Sequence, residues 1–213
     1  MYLIQAILFS LFILIPDSGM HEWTLVKTNG DIQVFVRQAN KGEIKEVKIL
    51  TRIECSLQEL VASLEDVPSH KDWVMNTIES NFIEKSQADS FYYYISTDMP
   101  FPIRDRDLVV HYSRFQDKDS GIVYTTSKAS ADKYPSKENF IRIRSFDSSY
   151  KLTPIEGGII EIEYYMRVDP GGILPNWLIN LAVTKGPINT IKSLFELIET
   201  QKYRDSQVSN IIE

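Results

Sequence analysis

The sequence has few of the residues that build metal or disulfide sites. It contains one cysteine, Cys55, and its three histidines, His21, His70 and His111, are scattered along the chain. A single cysteine excludes an intramolecular disulfide, and no histidine stands at metal-ligand spacing from cysteine, aspartate or glutamate. We therefore predict no metal site and no cofactor, and we expect Cys55 to be a small buried apolar side chain.

The sequence also lacks an excess of basic residues and the common phosphate-binding and nucleophile motifs. Its 23 lysine and arginine residues stand against 29 aspartate and glutamate residues, so the formal net charge is −6. A nucleic-acid partner would require a basic face to neutralise phosphates, so the composition argues against one. No P-loop, G-x-G-x-x-G or G-x-S-x-G motif occurs, and the paired glycines at 157–158 and 171–172 are expected at turns.

Charged residues are missing from the first sixteen positions, MYLIQAILFSLFILIP, which have only Gln5 and Ser10 as polar interruptions. Their length is closer to the apolar region of a signal peptide than to a spanning helix, which needs about 20 residues. Against cleavage, no basic residue precedes the run and PDSG is a poor cleavage sequence. Residues 1–19 are predicted as a signal peptide or a membrane anchor, and a buried N-terminal segment is a third alternative. The protein is then periplasmic or secreted, or else membrane-anchored.

The pattern after this leader is mainly that of antiparallel strands. Ile32, Val34 and Val36 alternate along one predicted strand, and five segments between 77 and 168 form a predicted meander. SLQELVASLEDV, residues 56–67, predicts a short helix with a capping box from Ser56 to Glu59. We predict an α+β fold with a single domain over residues 20–205 and a short tail over 206–213.

The last predicted element is a long amphipathic helix with a break in it. Pro175 is expected in its first turn, where no backbone N–H is needed. Pro187 removes the bond to the Val183 carbonyl, so we expect a kink at Gly186-Pro187. By pattern alone this is a helix wrapped around a core. Its apolar stripe steps by three or four residues through Trp177, Leu181, Thr184, Ile188, Ile191, Phe195 and Ile198.

Two short runs have alternative interpretations. RDRD, residues 104–107, stands at the start of a predicted strand, and the pattern favours a solvated turn with a weak surface ion pair. A buried functional pair is the alternative. YYY, residues 92–94, puts Tyr92 and Tyr94 on one face of a strand and Tyr93 on the other. Phenols that face inward would form an apolar wall with hydroxyl groups on it.

PFPIRDRDLV (100–109) and DPGGILPNWLINLAVTKGP (169–187) together resemble the START domains, the StAR-related lipid-transfer family, and especially its phosphatidylcholine-transfer-protein-like members. EWTLVKTNGDIQVFVR, DWVMNTIES and FIRIRSF support the resemblance, which extends from about residue 22 to residue 199. The resemblance implies a helix-grip fold, in which a curved antiparallel sheet wraps around a long C-terminal helix and encloses an apolar tunnel. The break at Gly186-Pro187 would bend that helix around a ligand.

The resemblance also implies non-enzymatic binding and transfer of a lipid or other apolar molecule, by a monomer that contacts membranes transiently. The loop at residues 100–104 and the C-terminal helix would gate the tunnel, with Phe101 as a membrane-inserting wedge. Arg106 and Asp107 match the Arg-Asp pair of the family. The expected ligand-binding residues are His70, Trp73, Tyr92, Tyr94, Phe101, Arg106, Asp107, Tyr112, Tyr164, Trp177, Leu181, Thr184, Ile188 and Ile191.

The chemistry of the ligand does not follow from the resemblance. Phosphatidylcholine-binding members have an arginine and an aspartate around a tryptophan where this chain has His70 and Val74, and steroid-binding members have an arginine in place of Tyr112. One alternative function is a helix-grip cyclase or hydrolase that acts on an apolar substrate, with His111 and Asp107 as its acid-base pair. A third alternative is a structural or regulatory protein whose cavity is filled by side chains.

Overall fold

The computed structural model describes residues 22–38 and 45–213, and the predicted leader lies outside these residues. Within them, ten strands form one open sheet whose neighbouring strands are antiparallel, apart from one short strand that pairs in parallel. The strands are β1 (Thr24–Asn29), β2 (Ile32–Gln38), β3 (Lys45–Glu54), β4 (Thr77–Gln87), β5 (Ser90–Thr97), β6 (Arg106–Gln116), β7 (Val123–Ala129), β8 (Ile141–Arg142), β9 (Ser145–Ile155) and β10 (Ile159–Asp169). The helices are α1 (Leu57–Glu65), α2 (His70–Trp73), α3 (Asn176–Val183) and α4 (Lys185–Ile198).

The order of the strands across the sheet is β1-β2-β3-β10-β9-β7-β6-β5-β4, so β10 joins the first three strands to the later ones. Alternate residues along each strand point to opposite faces, and the register between strands defines one face that is continuous with the helices. We call this the inner face, and the other the outer face. The inner face carries Val34, Val47, Ile49, Thr51, Ile162, Tyr164, Ser148, Tyr150, Leu152, Thr125, Ser127, Val110, Tyr112, Phe91 and Tyr93.

Buried apolar side chains in the described part of the chain form three separate clusters beneath the inner face. The α1 cluster joins α1 and α4 to β7, β9 and β10, the β2–β3 cluster joins α3 and α4 to β2 and β3, and the β5–β6 cluster lies on β5 and β6. Phe195 of α4 packs against both of the first two. Their central members are Leu60, Leu152 and Leu194 in the α1 cluster, Val34, Ile49 and Ile191 in the β2–β3 cluster, and Phe91, Leu108 and Val110 in the β5–β6 cluster.

The predicted short helix is confirmed as α1. Ser56 Oγ accepts a hydrogen bond from the Glu59 N–H at 3.1 Å, and the Glu59 carboxylate accepts one from the Ser56 N–H at 2.9 Å, which completes the capping box. The predicted apolar stripe of this helix is buried, from Leu57 to Leu64. Cys55, just before the cap, is half-buried against the α1 cluster, and burial raises the pKa of its thiol to about 12.

The C-terminal helix differs from the prediction in where it breaks. Thr184, at φ −122° and ψ −71°, separates α3 from α4, and Pro187 lies in the first turn of α4, where its missing N–H is not needed. The predicted kink at Gly186-Pro187 is therefore wrong by two residues. The predicted apolar stripe also does not continue across the break. Trp177, which belonged to that stripe, is 57% exposed, while its neighbour Leu178 is buried.

The C-terminal tail is docked onto the first helix and the sheet. The Glu213 carboxylate accepts a hydrogen bond from the Gln58 N–H at 2.9 Å in the first turn of α1, a favourable place for an anion. The Gln116 side-chain amide bonds both the N–H and the carbonyl of Ile212, at 2.8 and 2.7 Å. Because Ile211 is also buried, the tail completes the core at this end of the protein.

Candidate ligand-binding site

Two of the expected ligand-binding tyrosines, Tyr92 and Tyr94, lie on the outer face. Tyr92 stacks on His111, with ring centroids 4.6 Å apart. Tyr94 is buried, and the Lys137 ammonium lies 4.3 Å from its ring centroid. Because Tyr93 between them points inward, strand geometry directs both of its neighbours away from the inner face.

The second half of the charged run at residues 104–107 is buried, and its two residues, Arg106 and Asp107, do not pair with each other. Arg106 is 3% exposed and lies on the inner face, whereas Asp107 is 1% exposed and lies on the outer face. There Asp107 accepts two hydrogen bonds from Arg142, at 2.8 and 2.9 Å. The interpretation as a solvated turn is therefore wrong for Arg106 and Asp107. Strand periodicity could not reveal this, because Arg142 belongs to β8, 35 residues further along the chain.

Arg106 connects two loops at one end of the sheet. Its guanidinium donates to the backbone carbonyls of Arg104, Pro170 at 3.3 Å and Gly171 at 3.0 Å. Burial lowers the pKa of Arg106, and Asp105 opposes this effect. The arginine thus ties the end of the loop at residues 98–105 to the turn that leads into α3.

The same two segments carry large apolar side chains that are exposed to solvent. Phe101 is 97% exposed in the loop, Ile173 is 98% exposed in the turn, and Trp177 is 57% exposed in the first turn of α3. Exposed apolar groups of this size on neighbouring segments are typical of surfaces that contact a membrane or a partner. Within the described residues, no helix is long and apolar enough to span a membrane.

Three tyrosines converge on the inner face, and only Tyr164 was expected at the site. We call Tyr93 of β5, Tyr150 of β9 and Tyr164 of β10 the phenol cluster. Tyr150 and Tyr164 are direct cross-strand neighbours with ring centroids 4.5 Å apart. Each tyrosine packs with a different apolar cluster: Tyr150 with the α1 cluster, Tyr164 with the β2–β3 cluster and Tyr93 with the β5–β6 cluster. The phenol cluster therefore lies where the three apolar clusters meet.

The phenols are deep in the protein, yet two of them keep accessible surface. Tyr150 and Tyr164 are only half-buried by surface area, although both hydroxyls lie among many protein atoms. Each residue therefore keeps surface that no protein atom covers. Burial raises the pKa of Tyr164 to about 12, with Ser148 opposing, and burial also raises the pKa of Tyr93 and Tyr150. All three phenols are neutral hydrogen-bond donors near neutral pH.

His70 and Trp73 lie beside the phenol cluster and are buried. The His70 ring contacts the rings of Trp73 and Tyr93, each with centroids 5.3 Å apart. His70 Nε2 lies 3.0 Å from the Leu64 carbonyl, and burial lowers the pKa of the imidazole. A neutral His70 that donates to Leu64 follows from this arrangement.

The Tyr112 hydroxyl is engaged by protein. It donates to Glu65 Oε1 at 3.0 Å, and the same oxygen accepts a hydrogen bond from Arg114 Nε at 2.7 Å. Burial raises the pKa of Glu65, although Arg114 and Tyr112 lower it. The ring of Tyr112 also stacks on Phe91, with centroids 4.6 Å apart.

The expected ligand-binding residues of the C-terminal helices differ in how deeply they are buried. Ile188 and Ile191 are buried in the β2–β3 cluster. Leu181 and Thr184 are half-buried, and the Thr184 hydroxyl donates to the Asn180 carbonyl at 2.6 Å. The α4 residues of this set therefore pack beneath the inner face in the β2–β3 cluster.

An open antiparallel sheet whose inner face packs on a C-terminal helix defines the helix-grip class of protein. This chain belongs to the START domain family, whose model matches residues 10–204. An uncharacterized protein of Pseudomonas aeruginosa is 30% identical over 173 residues, which cover 81% of this chain and 85% of that protein. The phosphatidylcholine transfer protein of Mus musculus is 26% identical over 177 residues, 81% of this chain and 82% of that protein.

A solved structure shows the same architecture. The STAR-related lipid transfer protein from Xanthomonas axonopodis has a TM-score of 0.76 and 25% sequence identity, over 84% of this chain and 99% of that one. The resemblance and the helix-grip fold that the sequence indicated are thereby confirmed.

Proposed function

We propose that this protein binds one lipid or other apolar molecule between the inner face and α4, and transfers it between membranes. The observation that carries this proposal is the accessible surface of Tyr150 and Tyr164 deep in the protein, where the three apolar clusters meet. Similarity to the phosphatidylcholine transfer protein of mouse supports it. Affinity would come from apolar burial, about 25 cal/mol for each Å² before the costs of association.

Native mass spectrometry of the full chain, purified gently from a lipid-containing extract, tests the binding proposal. We expect a stoichiometric adduct that dissociates as an intact lipid. An unbound mass that persists after incubation with mixed phospholipids, sterols and fatty acids would contradict the proposal and favour a filled core.

We further propose that the protein is a carrier and not an enzyme. The alternative needs an acid-base pair inside the cavity, for which His111 and Asp107 were the candidates. Both lie on the outer face, where His111 Nε2 is 3.1 Å from Ser90 Oγ and Asp107 is paired with Arg142. This placement supports the carrier function. We expect the bound molecule to be recovered with unchanged mass after prolonged incubation, and steady conversion to a product would contradict the proposal.

The gate in this proposal consists of the loop at residues 98–105 and the turn before α3, tied by Arg106. Arg106→Lys keeps the charge but replaces a planar fork with a single ammonium, which cannot reproduce the three carbonyl contacts. We expect the release of a bound fluorescent diacylglycerol to accelerate by about ten-fold with little change in stability. Arg144→Lys at an exposed ion pair is the matched control. Equal release rates for Arg106→Lys and the wild type would remove Arg106 from the gate.

Membrane contact in this proposal is made by the exposed apolar residues beside the gate. Phe101→Ser removes the most prominent of them, and burying one phenylalanine side chain is worth about 1.5–3 kcal/mol. We expect lipid transfer between vesicles to slow by about ten-fold while the bound fraction stays the same. Phe115→Ser is the control, because Phe115 is 65% exposed near the opposite end of β6. Equal effects of the two substitutions on transfer would contradict a specific role for Phe101.

A further inference from the structure

We propose that the phenol cluster binds an uncharged oxygen of the ligand as a hydrogen-bond acceptor, with Tyr150 as the principal donor. The ligand class is therefore an apolar molecule that carries an acyl ester carbonyl or a hydroxyl at a buried position. This inference rests on the proposed function, because it names the polar group of a molecule held against the inner face.

The Tyr150 hydroxyl has no hydrogen-bond partner among the described residues. Within residues 22–38 and 45–213 its hydroxyl makes no hydrogen bond, although its backbone N–H donates to Thr125 Oγ1 at 3.2 Å. Buried phenols usually find a partner, as Tyr112 does at Glu65. The Tyr150 hydroxyl instead has no partner among the described residues, and Tyr150 keeps accessible surface on the inner face, where an acceptor atom of a ligand would complete its hydrogen bonding.

A second hydroxyl on the same face is also without a partner. Thr51 is 4% exposed, and within the described residues its Oγ1 makes no hydrogen bond. Thr51 lies opposite Ile162 on β10, one inward-facing position from Tyr164. The inner face thus carries two hydroxyl groups, on Tyr150 and Thr51, that have no hydrogen-bond partner among the described residues.

The surroundings of the cluster favour an uncharged partner. The groups that influence the pKa values of Tyr93, Tyr150 and Tyr164 are these phenols themselves, Ser127 and Ser148, and no charged side chain of the described residues is among them. A buried carboxylate, phosphate or ammonium would require a counter-charge. The buried arginines of the inner face have other partners, since Arg106 binds backbone carbonyls and Arg114 binds Glu65.

The three apolar clusters indicate that the rest of the ligand is hydrocarbon. They flank the phenol cluster on different sides, so hydrocarbon on either side of the oxygen would contact apolar side chains. An acyl ester carbonyl between alkyl chains and a sterol hydroxyl on a ring system both have this chemistry.

Competition experiments on the full chain test the inference, with native mass spectrometry as the measurement. One equimolar pair is dioleoylglycerol and its dialkyl ether counterpart, which lacks both carbonyls, and the other is cholesterol and cholest-5-ene, which lacks the hydroxyl. In at least one pair we expect the wild type to take the molecule with the additional oxygen by about five- to ten-fold, as for one net hydrogen bond. The pair that is discriminated identifies the source of the oxygen.

Tyr150→Phe should abolish that preference and still bind both members of the pair. Because the hydroxyl makes no bond to the described protein, the variant should unfold at the same denaturant concentration as the wild type. Tyr94→Phe, an outer-face phenol of the same sheet, is the control and should keep the preference. The inference is overturned if Tyr150→Phe retains the preference, or if the wild type binds both pairs without discrimination. Binding of no molecule in either pair would overturn the proposed function, and this inference with it.

Discussion

Tyr92 and Tyr93 are neighbours in β5, but they face opposite sides of the sheet and have different surroundings. On the outer face, Tyr92 stacks on His111 and has the Lys133 ammonium 4.6 Å from its ring centroid. On the inner face, Tyr93 lies near Tyr150 and Tyr164, where no charged group of the described residues acts on its pKa. Whether a tyrosine of β5 can belong to the candidate site therefore depends on the face of the sheet to which its side chain points, and not on its residue type.

Arg106 and Asp107 repeat this contrast with charged residues. Asp107 and Arg142 form an ion pair on the outer face, and Arg142 also donates to the carbonyls of Ala131, Tyr134 and Pro135. Within the described residues, Arg106 on the inner face has only backbone carbonyls as hydrogen-bond partners. Hydrogen bonds between two ionised groups are stronger than those to neutral carbonyls. At this end of the sheet, an ion pair thus holds the buried charge of the outer face, whereas neutral carbonyls hold that of the inner face.

Asp107→Ala should give the largest effect on stability. It leaves the buried Arg142 without its carboxylate, which typically costs about 3–5 kcal/mol of the free energy of unfolding. Urea unfolding measures this loss, and the folded fraction should bind ligand as the wild type does. Asp132→Ala at the exposed Arg144 pair is the matched control and should have no measurable effect. A loss below about 1 kcal/mol for Asp107→Ala would mean that the Asp107–Arg142 ion pair does not stabilise the outer face.

Tyr112→Phe should have a smaller effect, and it separates a structural role from ligand binding. It removes the hydrogen bond to Glu65, so we expect a loss of about 1.5 kcal/mol in the free energy of unfolding. Ligand affinity per folded molecule should stay the same. Weaker binding at unchanged stability would support the role that the sequence predicted for Tyr112, which was to orient the ligand.

The smallest effect concerns the pH dependence of stability at His70. Burial lowers the pKa of His70 below the value of about 6.5 that it has in the unfolded chain, so between the two values the unfolded chain binds more protons. The contribution of His70 is therefore complete above about pH 6.5 and is lost as the pH falls below it. Unfolding at pH 7 and pH 5 should show a larger decline for the wild type than for His70→Gln. Parallel declines would mean that His70 is not buried in its neutral form.

Local signals predicted much of the fold. The capping box from Ser56 to Glu59 and the alternation of Ile32, Val34 and Val36 in β2 depend on neighbouring residues only, and the structure confirms these elements. The motifs at residues 100–109 and 169–187 indicated the family. The helix break was misplaced because proline was taken as the cause, whereas the backbone turns at Thr184 and Pro187 fits the first turn that follows.

The site was harder to predict because it depends on long-range pairing. Period-two alternation showed that Tyr92 and Tyr93 face opposite sides, but only the register with β6 and the packing of the helices show which side is inner. Tyr150 was missed because the segment FIRIRSF was recognised only as far as Phe146, while β9 continues to Ile155. The alternation of Ser148, Tyr150 and Leu152 was the available signal. The ligand-binding roles of the expected residues stay predictions.

Photo-crosslinking tests the central claim, that the ligand lies against the inner face, most directly. The full chain would be loaded with a diacylglycerol that carries a diazirine in one acyl chain, irradiated and digested, and the labelled peptides sequenced. We expect the label in β9, β10 and α4, around Tyr150, Tyr164 and Phe195. Label confined to the outer-face segment at residues 131–142, or to the exposed loop at residues 98–105, would contradict the account.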